Sequence, residues 1–128
     1  MKHLTATLCL TITLLLGSVG NSESADLQKG ITAYKSGDFA TALREWTPLA
    51  KQGNASAQNN LGTMYYNGTG VIQDNVYACT WWNIDASAGK SKNASKNRDL
   101  LAKLMNSAKI ETAQERAREC VRKKYKGC

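Results

Sequence analysis

One stretch of the chain matches another at a fixed offset, and this self-similarity limits the possible folds more than any other feature of the sequence. At an offset of 36 residues five identical pairs align: Asp38 with Asp74, Ala42 with Ala78, Trp46 with Trp82, Ala50 with Ala86, and Gly53 with Gly89. The first four matches recur every four residues, so in a helix they would lie along one face. The aspartates would cap the starts of the two helices, and the glycines would follow their ends.

Shorter matching segments precede each of these predicted helices. Residues 30–34 (GITAY) and 62–66 (GTMYY) align at an offset of 32, and a longer loop at 67–73 follows the second segment. Each unit is therefore predicted to be a helix, a turn and a second helix. A period in the thirties built from paired helices is typical of a solenoid, in which each pair buries its apolar face by stacking on the next. The pattern predicts an all-α fold.

The second unit resembles a complete Sel1-like repeat, a relative of the tetratricopeptide repeat. The positions that match in order and spacing are Ala57, Leu61, Gly62, Tyr65, Gly68, Gly70, Val71, Asp74, Ala78, Trp82, Ala86 and Gly89. Residues 26–53 resemble a shorter first repeat, and residues 90–128 have the outline of a degenerate third repeat that caps the array. The resemblance implies a short α-α superhelix (solenoid) of two to three Sel1-like helix hairpins, with a groove lined by first helices.

The spacing of apolar residues predicts the two helices of the third unit. The residues expected to face inward are Leu100, Leu101, Leu104 and Met105 on the first helix, and Ile110, Ala113, Ala117, Cys120 and Val121 on the second. The opposite side of the second helix would then be polar, as a terminal capping unit requires.

The first residues of the chain are typical of a signal peptide. An apolar run from Leu4 to Leu16 follows Lys2 and precedes small residues, and it is shorter than the roughly 20 residues that span a bilayer. We expect cleavage of residues 1–24, which leaves residues 25–128 as a single domain with repeats at about 26–53, 54–89 and 90–128. The protein would be exported, either periplasmic or secreted, without a transmembrane segment.

Removal of residues 1–24 would also remove His3, the only histidine of the chain. Without histidine there is no Ser-His or Cys-His nucleophile pair and no histidine-ligated zinc. We therefore expect no enzymatic activity, no metal and no cofactor. Ser87-x-x-Lys90 fits one motif of penicillin-recognising enzymes, but their Ser-Asp-Asn and Lys-Thr-Gly motifs are missing. A β-lactam hydrolase is thus an alternative that the sequence disfavours.

Three cysteines remain after the predicted cleavage. Cys120 and Cys128 would be oxidised to a disulfide in an exported protein. Eight residues of helix rise about 12 Å, beyond the ~7 Å that a disulfide allows between Cα atoms, so the helix must end near Tyr125 and the chain must fold back. Cys79 is predicted to be a small buried hydrophobe, with a reactive thiol as the alternative.

Polar residues of the second repeat are candidates for partner binding. On its first helix these residues avoid the line of Ala57, Leu61 and Tyr65: Asn59, Asn60, Thr63, Tyr66 and Asn67. If first helices line a groove, as the resemblance implies, these side chains could bond an extended protein or peptide partner. Trp81 is a further candidate, because its neighbour Trp82 occupies the core position. Trp81 would either pack against the next helix pair or be exposed as an anchor for the partner.

Charge is distributed unevenly along the chain. Residues 26–89 contain four basic and five acidic residues, whereas residues 90–128 contain twelve basic and four acidic residues. The candidate basic patch on the last helix and its end consists of Arg116, Arg118, Arg122, Lys123, Lys124 and Lys126. It either keeps the protein soluble or binds an anionic envelope polymer or lipid. We expect no nucleic acid partner, because the chain is predicted to be exported.

Overall fold

The structure is a computed structural model that describes residues 25–89 and 91–128. The predicted signal peptide, residues 1–24, lies outside the described residues, as does Lys90. All regular elements of the described residues are helices, which confirms the all-α class. They are α1 (Leu27–Ser36), α2 (Phe39–Lys51), α3 (Ala55–Asn67), α4 (Asn75–Ser87), α5 (Lys92–Ala102) and α6 (Ser107–Arg122). None of these helices has the length and apolar character needed to cross a membrane.

The helices begin and end at the residues that the sequence marks as caps. Asp38 accepts a hydrogen bond from the Thr41 N–H at 3.1 Å, and Asp74 accepts one from the Tyr77 N–H at 2.9 Å. Hydrogen bonding with Thr41 lowers the pKa of Asp38 below its usual value. Gly68, at the end of α3, has a φ of 68°, a conformation that glycine adopts without strain. Local chemistry therefore sets the helix boundaries.

A glycine and a tryptophan make the same contact in both of the first two helix pairs. A Cβ added to Gly30 would lie 2.6 Å from Trp46 Cδ1, and one added to Gly62 would lie 2.6 Å from Trp82 Cδ1. The Trp46 indole N–H donates to the Leu27 carbonyl at 3.3 Å, and the Trp82 N–H donates to the Asn59 carbonyl at 3.3 Å. Each acceptor precedes its glycine by three residues, so the two pairs share one packing geometry.

The third pair packs differently from the first two. Contacts join α1 to α2, α2 to α3 and α3 to α4, but α4 then contacts both α5 and α6, while α5 and α6 make no comparable contact with each other. The buried residues of α6 are Ala113, Ala117 and Cys120, and α5 buries only Ala94 and Leu101. Because α5 has such a small apolar face, α6 packs on α4 instead of closing a hairpin with α5.

This arrangement corrects the prediction that a continuous apolar face points inward from the third pair. Leu100 is 61% exposed, Leu104 is 71% exposed and Val121 is 43% exposed. Leu101 is buried, as expected. Leu104 also lies beyond the end of α5 at Ala102, so the helical spacing that placed it inward does not continue that far.

A disulfide fastens the end of the chain to the fold. Cys120 and Cys128 are bonded, with their Cα atoms 5.7 Å apart, which confirms the predicted pair. The helix α6 ends at Arg122, three residues earlier than expected, and Gly127 has a φ of 79°. The Tyr125 ring packs beside Gly53 in the turn between α2 and α3. The C-terminal turn, residues 123–128, therefore contacts the first helix pair as well as α6.

Substitution of Gly62 by alanine tests the shared packing geometry. The added Cβ would overlap the buried Trp82 indole, and overpacking of a core costs about 1–3 kcal/mol, offset by up to ~1 kcal/mol from helix propensity. We expect Gly62→Ala to lower the free energy of unfolding in urea by about 1–2 kcal/mol. Ser56→Ala, on the exposed face of the same helix, is the control and should change stability little. Equal stability of both variants would contradict the proposed contact.

Reduction of the disulfide should weaken the fold without abolishing it. A loop of this short length restricts the unfolded chain by about 2–3 kcal/mol, and Tyr125 would lose its fixed position beside Gly53. We expect the Cys128→Ser variant to unfold at lower urea concentration, by about that free energy, with its helical circular dichroism intact. Reducing agent should lower the stability of the wild type to that of the variant and leave the variant unchanged.

Candidate functional site

Two adjacent hollows lie along the layer of first helices. The first, of about 140 Å³, lies between α1 and α3 and is lined by Ile31, Tyr34, Lys35, Trp46, Asn60 and Thr63. The second, of about 250 Å³, lies between α3 and α5 and is lined by Thr63, Tyr66, Trp82, Asn97, Leu100 and Leu101. Thr63 borders both hollows, so they form one continuous surface, which we call the first-helix groove.

The two hollows share an equivalent pair of aromatic residues. The Tyr34 and Trp46 ring centroids are 5.6 Å apart in the first hollow, and those of Tyr66 and Trp82 are 5.7 Å apart in the second. Both tryptophans are 3% exposed, so the indoles contribute edges of otherwise buried rings. The glycine contact described above sets the position of each indole. The first-helix groove thus presents the same aromatic pair twice.

Three of the five predicted groove residues line the hollows, and two do not. Asn60, Thr63 and Tyr66 border them. The Asn59 carbonyl accepts from both Trp82 and Thr63, at 3.3 and 3.1 Å, so Asn59 supports the groove wall. Asn67 is the exposed last residue of α3 and does not line either hollow.

The sequence analysis does not predict the residues that α1 and α5 contribute to the first-helix groove. Ile31 and Tyr34 were identifiable, because the offset of 32 that relates the first helices pairs them with Thr63 and Tyr66. Asn97 and Leu100 have no such counterpart in the sequence. The apolar spacing predicts that Leu100 faces the core, whereas the structure places it 61% exposed beside the second hollow.

Trp81 is not the exposed anchor that the sequence offers as one of two alternatives, because its side chain is buried. Its side chain is 1% exposed, and its ring packs edge-on against Tyr77 with centroids 5.9 Å apart. The physical reason is that α4 contacts α3, α5 and α6 and is therefore covered on several sides. Of the two alternatives from the sequence, packing against the next helix is the one that the structure shows.

The predicted basic residues are all exposed, but they do not form one patch. Arg116, Lys123 and Lys126 border a pocket between α4, α6 and the C-terminal turn. Arg118 and Arg122 border a different hollow, together with Asn83 and Ser87. Lys124 lines neither of these. Helix geometry separates Arg116 from Arg118, because positions two residues apart point about 200° apart around the axis. Lys123, Lys124 and Lys126 lie beyond the end of α6, in the C-terminal turn.

One carboxylate neutralises part of this basic charge. Glu119 pairs with Lys123 at 2.7 Å and with Arg122 at 3.6 Å. The hydrogen bond from Lys123 lowers the pKa of Glu119 below its usual value. Arg116 and Lys126 have no carboxylate within 4.0 Å among the described residues, so their charge is free to act on a ligand.

The two candidate nucleophiles, Ser87 and Cys79, each form a hydrogen bond within α4. The Ser87 hydroxyl donates to the Ile84 carbonyl at 2.8 Å, and its predicted partner Lys90 lies outside the described residues. Cys79 is 1% exposed, and burial raises the pKa of its thiol. The Asn83 amide donates to Cys79 Sγ at 3.3 Å. Within residues 25–89 and 91–128, no three His, Cys, Asp or Glu side chains are grouped so that they could hold a metal ion.

Comparison of the chain with protein-family models, with curated proteins and with solved structures gives no match. Membership of the Sel1-like repeat family therefore stays a prediction from the sequence.

The burial of Cys79 predicts an unreactive thiol. The thiolate is the reactive form, and both the raised pKa and the lack of access reduce its reaction. We expect the folded protein to react with Ellman's reagent at the Cys79 thiol at least about 100-fold more slowly than in urea. The Cys79→Ser variant identifies the signal that belongs to this residue. Rapid labelling of folded protein that this variant abolishes would contradict the prediction.

Proposed function

We propose that the chain is an exported, non-catalytic interaction module built on Sel1-like repeats, which binds an extended peptide segment of a partner protein in the first-helix groove. The observation that carries this proposal is the pair of equivalent aromatic hollows joined at Thr63. A repeated hollow favours a ligand that is itself repetitive along its length, as a peptide chain is. The exposed Leu100 and the half-exposed Tyr66 supply apolar contact area.

The spacing of the hollows favours one peptide conformation. Each hollow lies between neighbouring first helices, so the two are about one helix spacing apart, roughly 10 Å. A polyproline II chain rises about 3.1 Å per residue and repeats every three residues. Side chains at positions i and i+3 therefore lie on the same side, about 9 Å apart. We infer a peptide in this conformation that places one apolar side chain in each hollow.

The polar residues of the groove match the backbone of such a peptide. A polyproline II chain has no internal hydrogen bonds, so its carbonyl and N–H groups need external partners. The amides of Asn60 and Asn97 can both donate and accept, and one lies at each hollow. Lys35 borders only the first hollow, which favours an acidic residue at that end of the peptide.

The sequence and the disulfide support the other two parts of the proposal, which are export from the cytoplasm and a role without catalysis. The Cys120–Cys128 bond fits an oxidising compartment outside the cytoplasm, as does the signal peptide predicted at residues 1–24. The absence of histidine from the sequence after residue 3 supports a role without acid–base catalysis. Binding would then be the activity of the protein.

Three peptide libraries that differ only in the spacing of two fixed apolar residues test the proposal. We expect selection on the immobilised protein to enrich the i, i+3 library over the i, i+2 and i, i+4 libraries, which match a strand and a helix. Affinity of the best peptide is then measured by fluorescence anisotropy. Tyr66→Ala, Leu100→Ala and Asn60→Ala should each weaken binding about tenfold, the range of a hot-spot contact.

Ile72→Ala is the matched control, because Ile72 is 91% exposed in the loop after α3 and lines neither hollow. Failure to enrich any peptide, or equal affinity of the groove variants and the wild type, would overturn the proposal. If the wild type instead binds anionic vesicles, and Arg118→Glu/Arg122→Glu/Lys124→Glu abolishes this while Tyr66→Ala does not, the basic residues are the functional surface.

A further inference from the structure

A second candidate binding site lies on α4 and α6, away from the first-helix groove. It is a pocket of about 290 Å³ between these helices and the C-terminal turn, which we call the C-terminal pocket. It shares no lining residue with either hollow of the groove. Any ligand that it holds would therefore bind independently of the proposed peptide.

The inner wall of the C-terminal pocket is apolar and contains an unsatisfied donor. Tyr77, Trp81 and Ile84 line it from α4. The indole N–H of Trp81 is buried and has no acceptor among the described residues, whereas those of Trp46 and Trp82 both donate to carbonyls. A buried donor without an acceptor is costly and uncommon in folded proteins. A ligand atom that accepts from Trp81 would remove this cost.

The rim of the C-terminal pocket is positively charged. Arg116, Lys123 and Lys126 line it, and Glu119 is the acidic residue among the lining side chains. Glu119 is already paired with Lys123 at 2.7 Å, which leaves the charges of Arg116 and Lys126. Guanidinium and ammonium groups are strong donors to carboxylate, sulfonate and phosphate oxygens. The rim therefore favours an anion.

The outer wall is held in place by the disulfide. Cys120, Gly127 and Cys128 border the pocket, and the Cys120–Cys128 bond ties the C-terminal turn to α6. The Tyr125 ring anchors the same turn beside Gly53. A wall that is fixed before binding needs little ordering when a ligand enters.

We propose that the C-terminal pocket binds a small organic anion with an apolar body. The apolar part would lie against Trp81, Tyr77 and Ile84, and the anionic group would accept hydrogen bonds from Arg116, Lys126 and the Trp81 indole. The volume of about 290 Å³ is at the lower end of the range for small-molecule sites, so the ligand is about the size of one fused aromatic pair. This inference does not depend on the peptide function of the groove.

Naphthalene-2-carboxylate is a suitable probe, and naphthalene-2-carboxamide is its uncharged counterpart of the same shape. Titration of the intact, disulfide-bonded protein is followed by the indole N–H signals of its three tryptophans in nitrogen-15 NMR spectra. We expect the carboxylate to move the Trp81 signal downfield and to leave those of Trp46 and Trp82 in place. The carboxamide should bind about tenfold more weakly, and high salt should weaken the carboxylate alone.

Variants distinguish binding in the C-terminal pocket from general electrostatic attraction of the carboxylate to a basic protein. Trp81→Phe keeps the apolar wall but lacks the N–H, and Arg116→Gln/Lys126→Gln removes two rim charges; each should weaken the carboxylate about tenfold. Arg118→Gln/Lys124→Gln removes the same charge outside the pocket and should have little effect. Circular dichroism verifies that each variant is folded.

Three outcomes would overturn the proposal. The first is equal binding of the carboxylate and the carboxamide, and the second is equal weakening by the two charge-removing pairs. The third is an unchanged Trp81 signal at about 1 mM probe, a concentration that reveals even weak sites. Tyr66→Ala should leave carboxylate binding intact, so loss of peptide binding in the groove and loss of anion binding in the pocket are distinguishable.

Discussion

In each of the first two helix pairs, a tryptophan on the second helix packs against a glycine on the first helix, and this contact sets how closely the two helices approach. Because Gly30 and Gly62 lack a Cβ, the indoles of Trp46 and Trp82 lie directly against the helix backbone. Each indole N–H bonds a carbonyl one turn earlier in that helix. This holds the two helices of each pair at one separation. The same indoles reach the hollows of the first-helix groove, so the packing contact also shapes the candidate binding surface.

The helix α4 is the centre of the molecule, and its position explains why the third pair departs from the first two. It contacts α3, α5 and α6, and it buries seven residues, among them Cys79, Trp81 and Asp85. The charged and polar composition of α5 leaves it only two buried residues. The small residues of α6 pack on α4 as a result, and the C-terminal turn extends back to the first pair through Tyr125. The C-terminal pocket exists because α6 lies on α4.

The structure therefore carries two surfaces of different chemistry. The first-helix groove is aromatic and amide-rich, and α3, which borders both hollows, contains no charged residue. The C-terminal pocket combines an apolar wall with a cationic rim. A mainly aromatic and amide-rich surface is suited to the backbone and apolar side chains of a peptide, whereas a small pocket with a cationic rim is suited to a compact anion.

Capping residues in the sequence predict where α2 and α4 begin, and periodic small and aromatic residues predict the pairing of the first four helices. The short cysteine spacing predicts the disulfide. The sequence also predicts that Asn60, Thr63 and Tyr66 belong to the first-helix groove, and these three residues line its hollows. The burial of Trp81, the exposure of Leu100 and the separation of the basic residues into different pockets follow from tertiary packing. These outcomes depend on which helix packs against which. Helical periodicity defines the faces of a helix, but contacts between distant segments decide which face is covered.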